Sequence, residues 1–100
     1  FVPIRKKGKL PGKVLKQKYK LEYGTDEIQI SGKSINEKDR VLVIDDLIAT
    51  GGTAFASANL INKCKVRSIE FFFIIDLKNI GGSQKLGEKY KLSSILEAEG

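Results

Sequence analysis

Residues 41–53 read Val-Leu-Val-Ile-Asp-Asp-Leu-Ile-Ala-Thr-Gly-Gly-Thr: an apolar run, two acids and a pair of glycines in immediate succession. A short continuous apolar run such as 41–44 fits a strand of a parallel sheet buried on both faces. Residues 53–65 then predict a helix, with Ala56, Leu60 and Cys64 four apart and Ile61 beside Leu60 as its apolar stripe. Thr53 is placed to cap it, and Lys63 and Lys65 fall in its last turn, where positive charge complements the helix dipole. Residues 68–76, carrying Phe71, Phe72, Phe73, Ile74 and Ile75, predict a second buried strand. Strand, helix and strand over about 35 residues make a βαβ unit, whose crossover is expected to be right-handed.

That order also places the chemistry. In an open parallel sheet, ligands sit beyond the carboxyl ends of the strands. Asp45 and Asp46 fall at that end of the first strand. Adjacent carboxylates repel each other and call for an external partner, either the vicinal hydroxyls of a sugar or a metal–water cluster. Residues 49–53 (Ala49, Thr50, Gly51, Gly52, Thr53) follow directly. Two glycines let backbone N–H groups approach an anion, and the helix start behind them offers unpaired N–H groups and a positive dipole end. The helix carries no acid to oppose a phosphate. A P-loop would need Gly-x₄-Gly-Lys-Ser/Thr, and a dinucleotide fingerprint Gly-x-Gly-x-x-Gly; neither is present. The reading is a cradle for a phosphorylated sugar without a lysine for a γ-phosphate, so a kinase is not expected.

Upstream, residues 1–5 predict a short strand, and Gly8, Pro11 and Gly12 mark a loop. Leu15, Tyr19, Leu21 and Tyr23 alternate with Lys16, Lys18, Lys20 and Glu22, the period of a half-buried strand. A turn at 24–26 and a returning strand at 27–31 complete a β-hairpin, followed by a polar connection over 31–40. The last quarter contains Gly81-Gly82, a short helix-like stretch and an apolar segment at 92–96, without a clear pattern.

One hundred residues allow one small domain, 1–100. The net charge of +6 is local: of the 18 basic residues eight lie in residues 1–20, which hold no acid, and the other ten face the 12 acids. A basic arm of this kind implies an anionic partner, a nucleic acid or a phosphorylated small molecule. No apolar run is long enough to span a membrane, and no signal-peptide pattern precedes the fold. The single cysteine, Cys64, cannot form an internal disulfide and is expected to be a small core residue. That usage fits a reducing, cytoplasmic setting. The chain lacks methionine and opens on a strand-like segment, as though something preceded it.

The run VLVIDDLIATGGT resembles the phosphoribosyl-pyrophosphate (PRPP) signature of the type I phosphoribosyltransferases. Residues 4–12, Ile-Arg-Lys-Lys-Gly-Lys-Leu-Pro-Gly, and residues 19–24, Tyr-Lys-Leu-Glu-Tyr-Gly, narrow the resemblance to the adenine phosphoribosyltransferases. The resemblance implies an α/β fold, a parallel-sheet core with a βαβ unit plus a β-hairpin flap over about 10–30 that closes over the site. It implies the reaction of adenine with PRPP to give AMP and pyrophosphate, with Mg²⁺ carried by PRPP and no residue of the chain assigned as a metal ligand. It implies that Asp45 and Asp46 contact the ribose hydroxyls and that Ala49 to Thr53 wrap the 5′-phosphate. Glu22 matches the glutamate that exchanges a proton with adenine, and Arg5, Lys6 and Lys9 match basic residues near the pyrophosphate. Some of these reach across a homodimer interface in the family. The family's N-terminal part, with the adenine pocket, is not matched, so the 100-residue chain alone is expected to be weakly stable and inactive. A PRPP-binding regulator whose basic arm holds nucleic acid is the alternative, and it would have no need of Glu22. A plain nucleic-acid module is not expected, since no RNA-recognition, zinc or helix-turn-helix pattern occurs.

Overall fold

The computed structural model describes residues 1–100 except Lys7, Lys9, Leu10, Pro11, Glu22 and Tyr23, and the side chains of Lys6 and Leu21. Two three-stranded sheets flank one helix. The first sheet is antiparallel, in the order β1-β3-β2, from β1 (Arg5–Lys6), β2 (Val14–Leu21) and β3 (Gly24–Ser31). The second is parallel, in the order β4-β5-β6, from β4 (Arg40–Ile48), β5 (Ser68–Leu77) and β6 (Lys91–Ala98). Helix α1 (Gly52–Asn62) joins β4 to β5; a 3₁₀ turn (Lys78–Ile80) and helix α2 (Gly82–Gly87) join β5 to β6. The βαβ unit expected from the apolar runs is present, and the unpatterned last quarter supplies its third parallel strand.

The predicted hairpin is β2–β3. Leu15, Gln17 and Tyr19 are half-buried while Lys16, Lys18 and Lys20 are exposed, the alternation the sequence carries. Its returning strand begins earlier than expected, at Gly24. Thr25 and Asp26 pair with Lys20 and Tyr19 inside the ladder, and pairing ends with Leu21 opposite Gly24. In β3, Glu27, Ile28, Gln29 and Ile30 are all buried. The two polar members are reconciled by a Gln29 Nε2 donor to Glu27 Oε2 at 2.7 Å. The predicted strand at 1–5 shrinks to Arg5–Lys6 at the sheet edge, while Val2 and Ile4 serve as packing residues.

Helix α1 is buried on two sides, which its single predicted stripe does not convey. Ala56 and Leu60 pack with Ile28 and Ile30 of the antiparallel sheet. Ala54, Ala58 and Ile61 pack with Ile48, Ile69, Phe71, Phe73 and Leu86 on the other side. Phe71 stacks on Phe73 (centroids 6.0 Å apart) and meets Tyr90 edge-on at 5.5 Å. The Tyr90 hydroxyl accepts from Asn62 Nδ2 at 2.9 Å, fixing the end of α1 to the start of β6.

The helix is also shorter than predicted. It ends at Asn62, and Lys65 adopts a left-handed φ of 54°, so Lys63 and Lys65 lie past the last helical turn. Lys63 Nζ donates instead to the Lys16 carbonyl of β2. Cys64 follows the helix, half-buried, with its thiol pKa raised by burial. β4 and β5 are covered on one face only, because both helices lie on the same side. Val41, Val43, Phe71 and Phe73 face them, whereas Leu42, Ile44, Ile74 and Ile95 form an exposed row across the other face. The expectation of strands buried on both faces therefore holds for one face of this chain.

Candidate active site

β4 runs through Asp45 and Asp46 to Ile48 before the chain leaves the sheet, so both acids are strand residues and not a post-strand loop. The two are exposed and differently engaged. Asp45 Oδ1 accepts the Asp46 N–H at 2.8 Å. Partial desolvation raises the Asp45 carboxyl above the usual carboxylate pKa, the Asp46 N–H draws it down, and the Asp46 carboxyl beside it pushes it up again.

The chain then turns through Ala49, Thr50 and Gly51 into α1. Gly51 is the N-cap, with φ 88° and ψ 1°, a left-handed conformation that favours glycine strongly. Its carbonyl accepts the first helical bond, from the Phe55 N–H at 2.8 Å. Thr53 is thus inside the helix and does not cap it; no side chain does. Helix geometry leaves the N–H groups of Thr53 and Ala54 without an intrahelical acceptor, and no acid lies in the first turn. The Gly52 N–H points back to Thr50 Oγ1 at 3.4 Å. These groups suit an anion placed at the helix start.

A cavity of about 170 Å³ opens here, lined by Asp45, Leu47, Ile48, Phe73, Ala54 and all five residues from Ala49 to Thr53. Asp45 and the glycine loop are therefore brought together, while Asp46 is not among the lining residues. Phe73, from the neighbouring strand, is a wall of the cavity that the β4 motif does not announce. Arg5 is exposed on β1 and does not line the cavity, and β1 includes the backbone of Lys6. Lys9 and Glu22, expected at the pyrophosphate and the base, lie outside the described residues. Among the described residues no cluster of three or more His, Cys, Asp or Glu could hold a metal ion. No described helix is long and apolar enough to cross a membrane.

A second glycine pair, unremarked in the motif, closes the loop from behind. The Gly82 N–H donates to the Ala49 carbonyl at 3.0 Å. The repeated pattern of Gly-Gly before a helix, at 51–52 and 81–82, is the sequence signal that could have found it.

No protein-family model matches the chain. An adenine phosphoribosyltransferase of Chlorobium phaeobacteroides is 52% identical over 101 aligned residues, covering the whole of this chain and 57% of that protein. The crystal structure of adenine phosphoribosyltransferase from Rhodothermus marinus superposes with a TM-score of 0.91 at 42% identity, over 98% of this chain and 56% of that one. The Trypanosoma brucei enzyme, solved in complex with AMP, pyrophosphate and ribose-5-phosphate, gives a TM-score of 0.85 at 30% identity, over 97% and 45%. The chain spans just over half the length of the curated relatives it matches. In sequence and in fold the chain is thus similar, along its entire length, to just over half of an adenine phosphoribosyltransferase, and it shares that part of their type I phosphoribosyltransferase fold.

Proposed function

We propose that the complete protein transfers the phosphoribosyl group of PRPP to adenine, giving AMP and pyrophosphate. The observation that carries this reading is the cavity where Asp45 meets the 49–53 loop at the start of an acid-free helix, in a chain matched along its full length to these enzymes. The 5′-phosphate would take the N–H groups of the loop and of the first helical turn. Asp45, with Asp46 beside it, would accept hydrogen bonds from the ribose 2′- and 3′-hydroxyls. The C1–O bond to pyrophosphate breaks as the bond from C1 to adenine N9 forms, and the N9 proton passes to a base. Glu22 is the residue proposed for that proton. Arg5, Lys6 and Lys9 would offset charge developing on the leaving pyrophosphate.

Mg²⁺ would travel with PRPP. It would keep several waters and take substrate phosphate oxygens. Cytoplasmic purine salvage by a homodimer, with the hairpin over 10–30 as a closing flap on a single domain, completes the reading. Nothing favours the regulatory alternative.

The test is a coupled assay of the complete protein with PRPP against adenine, hypoxanthine, guanine and xanthine. AMP formation from adenine alone is expected, and its absence overturns the reading. Glu22→Gln should cut turnover severely and leave PRPP binding largely intact; unchanged turnover would remove Glu22 from the mechanism.

A further inference from the structure

The two glycines of the 81–82 pair are needed for different reasons. Gly81 has φ 98° and nothing within 4 Å of where a Cβ would stand, so it supplies a backbone conformation and no close approach. Gly82 is the converse. Its φ is ordinary, but it is buried, and a Cβ there would lie 2.3 Å from the Ala49 carbonyl oxygen, 2.5 Å from the Thr50 carbonyl carbon and 2.6 Å from the Gly51 nitrogen. All three are backbone atoms of the phosphate loop, so no side-chain rotation can relieve the clash. The contact is reciprocal: a Cβ on Gly51 would meet Gly82 Cα and the Phe55 ring, each at 3.4 Å. The Gly82 N–H also donates to the Ala49 carbonyl at 3.0 Å, so the same residue both abuts and hydrogen-bonds the loop.

We propose that Gly82 is a positioning residue for the 5′-phosphate. It acts through the backbone of Ala49, Thr50 and Gly51 and touches no substrate itself. The inference rests on the reading of 49–53 as the phosphate loop. Gly82→Ala must push that loop toward the ligand or open the turn, and displacements of this size reduce binding and turnover steeply.

In the complete protein, Gly82→Ala is expected to weaken PRPP, AMP and ribose 5-phosphate together by at least ~10-fold, with the KM for adenine within about threefold. Gly81→Asn, which keeps a residue tolerant of left-handed φ, should leave all four near their starting values. Phosphate-ligand affinities within twofold in a folded Gly82→Ala protein would overturn the proposal, as would an equal loss for adenine. Should Gly82→Ala fail to fold, amide exchange of the unsubstituted protein decides. Ribose 5-phosphate should slow exchange of the Gly82 N–H along with the loop amides, and an unchanged Gly82 N–H overturns the proposal. Failure of the unsubstituted protein to bind ribose 5-phosphate would instead sink the phosphate-loop reading.

Discussion

The two sheets grip the same helix from opposite sides and are finished differently. The antiparallel sheet sets Ile28 and Ile30 against Ala56 and Leu60, and in β3 it buries four residues in succession. The parallel sheet sets Phe71 and Phe73 against Ala54, Ala58 and Ile61, yet leaves Leu42, Ile44, Ile74 and Ile95 exposed on its far face. One sheet buries a continuous run of β3; the other is half-covered and carries the candidate site at its carboxyl edge. The difference assigns labour. The parallel sheet aims Asp45 and the glycine loop, and the antiparallel sheet holds the helix that extends from that loop.

Removing the largest shared ring probes the parallel side most severely. Phe71→Ala is expected to destabilise the complete protein by about 3–5 kcal/mol, since it empties the stack with Phe73 and the edge contact with Tyr90. Ile30→Ala, the equivalent cut on the antiparallel side, should cost about 2–4 kcal/mol. Urea unfolding of both variants checks the ranking, and a larger loss for Ile30→Ala would reverse the assignment of the main core.

A gentler probe separates the two acids of the site. The folded Asp45 carboxyl lies above its unfolded pKa, so its contribution to stability is present at low pH and is lost as pH rises through the folded value. The proposed ribose contact through an ionised Asp45 would run the opposite way and fail as pH falls through that value. Asp46→Asn removes the neighbouring carboxyl while keeping the N–H bond, and should move the Asp45 midpoint to lower pH in a carboxyl-carbon NMR titration. A midpoint that stays put would show that desolvation and the Asp46 N–H set it without the neighbouring carboxyl.

The smallest effects are at the seams. Lys63→Met loses the donor to the Lys16 carbonyl between α1 and β2, and about 0.5 kcal/mol is expected for an exposed bond of this kind. Glu97→Gln breaks the 3.1 Å pair with Lys78, whose side chains are 59% and 60% exposed, and should change stability by less than about 0.5 kcal/mol. Thermal melts resolve the first from the second.

Much of this was legible because local chemistry dictated it. An apolar run, two acids and Thr-Gly-Gly-Thr placed a strand, a turn and a helix start correctly, and alternating lysines gave the hairpin's outer face. What escaped depends on partners distant in sequence. Thr53 looked like a cap because Ser and Thr commonly are, but the left-handed Gly51 fills that position. The helix showed one stripe because Ala54 and Ala58 weigh little on a hydrophobicity pattern, although both are buried. Gly82 is marked only by the repeated Gly-Gly before a helix, since what requires it is the proximity of a loop some thirty residues earlier. Leu42 and Ile44 read as buried from composition alone, and only the placement of both helices on one side corrects them.

The small residues of α1 have a mechanical consequence. Ala54 and Ala58 on one side and Ala56 on the other work as a shim, setting how far the hairpin stands from the sheet that carries the 49–53 loop. A bulkier side chain at Ala56 would lift the hairpin off its seat by a fraction of a helix diameter. The alignment between the two sheets is thus gauged by single methyl groups.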